Sequence, residues 1–177
     1  MREGYSDPCR GRFRTCSYNN VDDSMKMIDV SAKKITEREA VAEGEIYLKP
    51  EVIGLIKERK IPKGDVLEAA KIAGIFAAKK TPEIIPLCHP IPIESAGVEF
   101  YLEKDKIRIV SAIKGSAKTG FEMEALSAVT AAALTIYDMC KPLDKDMVIS
   151  GVKLLKKTGG KSGTYVRSSN IKNQISK

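Results

Sequence analysis

The stretch SAGVEFYLEKDKIRIVSAIKG, residues 95–115, decides how the rest of the chain must be read. Val98, Phe100 and Leu102 alternate with small or polar neighbours, EKDK supplies a turn, and Ile107, Ile109, Ser111 and Ile113 alternate again. A period of two sends alternate side chains to opposite faces, so the stretch reads as an antiparallel hairpin with one apolar face. That face needs a cover, which the flanking sequence must provide as helices.

Upstream, EGEIYLKP (Glu43 to Pro50) reads as a strand ended by Pro50, and EVIGLIKER as a short helix. In IPKGDVLEAAKIAGIFAAKKTPE, Asp65 is a good N-cap for an Ala-rich helix that Lys79 and Lys80 finish and Pro82 closes. Downstream, a long helix is expected from about Thr119 to Lys141. Thr119 and Glu122 fit the S/T-x-x-E capping box, and Pro142 stops the helix. DKDMVISGVKLLKK is a last strand, interrupted at Gly151, before the Gly-rich TGGKSG. The order β-α-α-β-β-α-β is the split βαβ pattern of a ferredoxin-like α+β domain: an antiparallel sheet with helices packed on one face.

A chain of 177 residues with 43% hydrophobic and 30% charged residues suits one folded domain and excludes a largely disordered chain. Residues 1–24 carry no periodicity and read as a flexible arm, residues 25–164 as a single α+β domain, and residues 165–177 as a flexible tail. No apolar run approaches the ~20 residues of a membrane span, and MREGYSDPCRGRFRTC has no apolar core of a signal peptide. A soluble cytoplasmic protein is the expectation. The formal net charge of +7 favours an anionic partner. Basic residues are spread out and not interleaved with aromatics, which points to a small phosphate ligand over nucleic acid. Cys9, Cys16, Cys88 and Cys140 form no C-x-x-C pair, and with one histidine in the chain they read as reduced thiols, not metal ligands.

Four local features carry chemistry. EIIPLCHPIPI (Glu83 to Ile93) holds the sole histidine, His89, beside Cys88 among prolines 86, 90 and 92. The prolines make a rigid loop, and the imidazole there is as consistent with a hydrogen-bonded core residue as with a binding group. On the long helix Glu124, Ser127, Ala128, Ala131, Thr135 and Asp138 share a stripe, opposite a core face of Leu126, Val129, Ala133, Ile136, Tyr137 and Cys140. That stripe is either a close-packing surface, with Asp138 and Lys141 as an ordinary i,i+3 pair, or the floor of a ligand site. Lys63 precedes the N-cap Asp65, an unfavourable place for a cation unless it serves an anion. GGKSG (Gly159 to Gly163) is not a P-loop, because the required glycine five residues before Gly160 is Leu155. A basic loop touching phosphate through Lys157 or Lys161 remains open beside a solvated tail.

Taken together, MIDVSAKKITEREAVAEG, KGDVLEAAKIAGIFAAKKTPEIIPLCHPIPI, GFEMEALSAVTAAALTIYDMCK and DMVISGVKLLKKTGGKSG resemble the cyclic pyranopterin monophosphate synthase (MoaC) family of molybdenum-cofactor biosynthesis. The resemblance runs from about Val21 to about Thr164 in the family's order and spacing. It implies a ferredoxin-like fold and conversion of 3′,8-cyclo-7,8-dihydroguanosine 5′-triphosphate to cyclic pyranopterin monophosphate with release of pyrophosphate, a lyase reaction. It also implies a homohexamer built from dimers with sites at subunit interfaces; no cofactor, no metal held by the protein and no nucleic-acid or membrane partner is expected, and whether Mg²⁺ accompanies the triphosphate is left open. By the same resemblance Leu87, Cys88, His89, Met123 and Glu124 bind substrate, and Asp138, Lys63 and Lys141 are catalytic. The rivals are a basic ferredoxin-like RNA-binding module, disfavoured by the missing aromatic pattern on the hairpin strands, and an inactive oligomeric relative.

Overall fold

The computed structural model describes residues 25–168 of the 177. The expected N-terminal arm, with Cys9 and Cys16, lies outside the described residues, as does most of the expected tail. The elements run β1 (Thr36–Tyr47), α1 (Pro50–Lys57), α2 (Val66–Ile84), β2 (Ser95–Leu102), β3 (Lys106–Ala117), α3 (Glu122–Cys140), β4 (Val148–Thr158) and β5 (Tyr165–Val166). The hairpin forms as read, pairing Val98 with Ser111 and Phe100 with Ile109.

The sheet order is β2-β3-β1-β4-β5, with antiparallel pairing throughout. Its first four strands have the ferredoxin-like arrangement, in which β3 separates β1 from β2 and the helices make the crossovers. The inner face carries Ala40, Ala42 and Ile46 of β1 with Ile107, Ile109, Ser111 and Ile113 of β3, all fully buried. Against it lies α3, with α2 packed beside α3 and over β2. The outer face is a ladder of ion pairs: Glu43 with Arg108 and Lys153, Glu45 with Lys106, and Glu39 with Lys156.

The inner residues of β1 are small because α3 comes close. A Cβ on Gly44 would stand 2.6 Å from Cγ1 of Val129. This explains why β1 starts at Thr36, earlier than the expected Glu43: TEREAVA has good helix formers, yet its alternation of Ala40, Ala42 and Gly44 matches a strand under a close helix.

Other boundaries differ from expectation for physical reasons. Pro82 does not close α2, which continues to Ile84. Proline lacks only the one donor, and here the helix keeps its last turn, with Ile85 N–H donating to the Thr81 carbonyl. The Asp65 cap is present, its carboxylate accepting from the Glu68 amide at 3.2 Å. The Thr119–Glu122 capping box is absent: α3 begins at Glu122 after Phe121, and no side chain caps it. Phe121 is fully buried, so packing sets the start of this helix, and the Glu122 side chain is engaged elsewhere. The strand β4 continues through Gly151, whose φ of 63° accompanies a shift of register against β1. The two-residue β5 adds a strand within the segment expected to be tail, pairing Tyr165 with Lys157 and Val166 with Lys156.

Candidate active site

The residues singled out in the sequence gather at the two ends of α3. At its C-terminal end, Asp138 Oδ2 accepts from Lys63 Nζ at 2.8 Å and Oδ1 from Lys141 Nζ at 2.7 Å. The Asp138 and Lys141 side chains meet because three residues bring them round to one face of the helix, one turn apart. Lys63 arrives from the turn before α2, where Gly64 at φ 104° reverses the chain into the Asp65 cap. All three side chains are 42–55% exposed, so the cluster is open to a ligand or another chain. The two ammonium groups, Lys141 first and Lys63 second, hold the Asp138 carboxyl down at about 2, and Asp138 in turn raises the Lys141 ammonium. At neutral pH this is one carboxylate bridging two cations. It presents positive charge and acidic N–H donors outward, and the carboxylate fixes where they point.

At the N-terminal end of α3, residues 85–94 form the Pro-stiffened loop. It is pinned by the Cys88 amide donating to the Ile85 carbonyl at 3.0 Å. Leu87, Cys88 and His89 line a cleft of about 490 Å³ with Ile28, Gly120, Glu122 and Met123. His89 is half-exposed, and its Nε2 lies 2.7 Å from the Ile28 carbonyl oxygen. Of its two readings, a buried core residue does not fit this position.

Glu124 is placed differently from a cleft wall. It is 1% exposed, its Oε1 takes a long contact from the Cys88 thiol (3.7 Å), and its Oε2 has no hydrogen-bond partner among the described residues. Burial raises the Glu124 carboxyl and also pushes the Cys88 thiol up to about 11, with the neighbouring Glu124 charge adding to the latter. A buried carboxylate with a free oxygen has a strong unmet demand for a donor. The stripe on α3 is thus divided: Glu124 and Ala128 are buried in the packing, while Asp138 is open.

Fourteen residues of helix separate Glu124 from Asp138, which is about 21 Å of rise at 1.5 Å per residue. One chain therefore holds these residues in two separate groups and does not bring the whole set together.

The sequence reading missed a cleft of about 390 Å³ beside the first, sharing Lys33, Thr119, Gly120 and Glu122 with it. Lys157 and Lys161, flagged in the Gly-rich loop, line it together with Arg38 and Lys118. Arg38 donates to the carbonyls of Ala117 (3.0 Å) and Lys118 (3.2 Å), and Gly159 and Gly160 lie so close to it that a Cβ on either would overlap its side chain. The diglycine was the available signal for such a close approach, but nothing in the sequence named Arg38 as the group approached. Among the described residues no three His, Cys, Asp or Glu side chains converge for a metal ion. Among the described residues no helix is long and apolar enough to cross a membrane.

Fold and side chains define a ferredoxin-like α+β domain with an acid–base cluster at one end of a buried helix and a basic cleft at the other. Residues 27–160 match the MoaC family, and the chain belongs to it. It is 52% identical over 148 residues to the cyclic pyranopterin monophosphate synthase of Aquifex aeolicus, covering 84% of this chain and 58% of that protein. It is 51% identical to the protein of the same name from Brevibacillus brevis, covering 84% of this chain and 93% of the relative. With the one from Thermoanaerobacter sp. it shares 55% identity over 84% of this chain and 95% of the relative.

Proposed function

We propose that this protein is an enzyme of molybdenum-cofactor biosynthesis, a cyclic pyranopterin monophosphate synthase. It converts 3′,8-cyclo-7,8-dihydroguanosine 5′-triphosphate to cyclic pyranopterin monophosphate and pyrophosphate, as a lyase. The observation that carries the reading is the pairing of family membership over residues 27–160 with an exposed Asp138 bridging Lys63 and Lys141. Rebuilding a purine as a pterin requires several proton transfers and no net redox change. Ammonium groups positioned by a carboxylate are suited to those transfers once a bound substrate excludes water and brings a lysine nearer neutrality.

Residues 25–164 form the catalytic unit. Asp138, Lys63 and Lys141 are catalytic, and Leu87, Cys88, His89, Met123 and Glu124 bind the substrate. The free Oε2 of Glu124 suits an N–H of the guanine-derived ring, once Cys88 and the substrate rearrange around it. The two half-sites, about 21 Å apart on one helix, favour a site completed by a second copy of the chain, within a homohexamer built from dimers. The protein works in the cytoplasm on its nucleotide-derived substrate and requires no cofactor, nucleic acid or membrane.

The test is incubation of the purified protein with the cyclised dihydroguanosine triphosphate, following pyrophosphate and the pterin product. Stoichiometric release of both is expected. A folded protein that releases neither removes the enzyme reading.

A further inference from the structure

The cluster of Lys63, Asp138 and Lys141 is drawn from two stretches of chain that meet twice. Residues 49–63 follow β1, form α1 and end in the turn that carries Lys63, while residues 138–144 are the end of α3 and the loop after it. At one junction the stretches join through the half-exposed side chains of Lys63 and Asp138. At the other they join through Asp144, which is only 3% exposed. Its Oδ2 accepts from the Lys49 amide at 2.9 Å and its Oδ1 from the Asp146 amide at 3.1 Å.

Both sides of the buried junction are fixed locally. The Asp144 and Leu143 amides donate to the Cys140 carbonyl at 3.1 and 2.9 Å, which closes the loop on the residue before Lys141. Lys49 is the N-cap of α1, its carbonyl accepts from the Val52 and Ile53 amides, and its own side chain caps nothing. Asp144 thus brings an acceptor to this helix start from the far end of α3. The Lys49 ammonium lies 3.7 Å from Oδ1 on a side chain open to solvent, so the amide bonds carry the contact. Led by that of Lys49, they outweigh burial and hold the Asp144 carboxyl below its ordinary value, as charge-assisted bonds do. From Lys49 to Lys63 the chain has little slack: α1 buries Val52, Ile53 and Ile56, Arg59 turns at φ 55°, and Ile61 is buried again. An exposed ion pair is worth little by itself and is disturbed whenever either partner changes charge. The buried junction is untouched by such changes and keeps the two stretches aligned.

We propose that Asp144 is a positioning residue: by fastening Lys49 to the loop after Lys141, it holds Lys63 in place against Asp138 and Lys141 while protons move among them. That protons move there rests on the function proposed above; the alignment of the three side chains does not.

The experiment compares full-length variants by two readouts. One is the titration midpoint of the Asp138 carboxyl, taken by carbon-detected NMR on the folded-state signals; the other is kcat against KM with the cyclised dihydroguanosine triphosphate. Asp144→Ala is expected to raise the Asp138 midpoint from about 2 toward 3.8, because the cations are no longer held against it. Its kcat should fall at least about tenfold with KM changed less than about threefold, the pattern of reacting groups displaced with binding intact. Asp144→Asn keeps an acceptor for the Lys49 amide and should lie between the alanine variant and the unaltered protein on both readouts. Lys49→Pro removes that amide at a φ of −60°, which proline accepts, and should reproduce Asp144→Ala. Lys49→Ala, which keeps the amide and loses the ammonium, should match the unaltered protein. Val98→Ala, a core truncation on β2, controls for lost stability and should move neither readout. The proposal is overturned if Asp144→Ala, or Asp144→Asn where the alanine variant does not fold, keeps the Asp138 midpoint of the unaltered protein, or loses no more kcat than Val98→Ala. A raised Asp138 midpoint with this pattern in a protein that does not turn over the cyclised nucleotide would remove the proposed function and leave the positioning role standing.

Discussion

Lys63 Nζ donates both to the Asp138 side chain at 2.8 Å and to the Asp138 main-chain carbonyl at 3.0 Å, across 75 residues of sequence. This double contact latches the turn ahead of α2 to the last turn of α3. The carbonyl is one of those left unpaired at a helix C-terminus, where a cation is favoured by the dipole as well. Lys63 is therefore held by geometry that does not depend on ligand, and Asp138 is held with it.

The first prediction concerns the charge state of this cluster. Asp138 titrates at about 2, below its ordinary 3.8, so the carboxylate form is favoured by the fold. Its contribution to stability is fully present above the ordinary carboxylate range and is lost as pH falls toward 2. A carbon-detected NMR titration of the carboxyl should give a midpoint near that value. Lys141→Ala should return it most of the way to the ordinary value, and Lys63→Ala somewhat less, following the order of their effects. A midpoint of 3.8 in the unaltered protein contradicts the bridging geometry.

A second prediction joins Glu124 to Cys88. Burial raises the Glu124 carboxyl, so the fold favours its protonated form, and stability linked to it is lost as pH rises through its folded value. Glu124→Gln should thus gain on the unaltered protein with rising pH, by about 1–2 kcal/mol at pH 8, since it removes a buried charge with one unpaired oxygen. Urea unfolding at pH 4.5 and pH 8 measures the difference, and a gain no larger at the higher pH is the contrary result. Cys88, with its thiol at about 11, should alkylate slowly at pH 7.5 by peptide mapping, with a rate still rising at pH 10.

Legibility in the sequence followed the range of the interactions. The hairpin, the Asp65 cap and the Asp138–Lys141 pair are local, and alternation or helical spacing suffices to read them. The start of β1 was not legible because its alternating residues are small, a choice imposed by Val129 from a helix some 85 positions on. The false capping box has the same origin, for burial of Phe121 outweighed a favourable four-residue pattern. At the site, residues in unusual strings such as IPLCHP and TIYDMCK could be named through resemblance to a family. The basic cleft could not, since Lys33, Arg38, Lys118 and Lys161 converge only through the pairing of β1 with β3 and β4.

His89 provides a third prediction. Its ring is half-exposed and its hydrogen-bonding contact is to the carbonyl of Ile28, itself an exposed residue. His89→Ala removes one surface contact and opens no core cavity, so the thermal midpoint should move by no more than about 4 °C. Turnover or substrate affinity should fall at least about tenfold if the imidazole contacts substrate, the scale of a lost hydrogen bond to a charged group. A collapse of thermal stability with substrate affinity preserved in the folded fraction would make the residue structural.

The last prediction tests whether the two half-sites belong to one catalytic centre. Glu124 and Asp138 are about 21 Å apart along a rigid helix, too far to serve the same reacting ring within one chain. If each active site takes its N-terminal half from one copy and its C-terminal half from another, two inactive variants should repair each other. Glu124→Ala supplies an intact Asp138 half, and Asp138→Asn an intact Glu124 half. After subunit exchange in an equal mixture, half of the dimers are mixed, and each mixed dimer has one site with both halves intact. Activity should therefore recover to about a quarter of the unaltered protein, as two-fold symmetry dictates. Each variant alone, and the two mixed without exchange, should stay inactive. No recovery despite exchange proven by native mass spectrometry would mean that the halves do not meet across an interface, and that one end of α3 is not part of the catalytic centre.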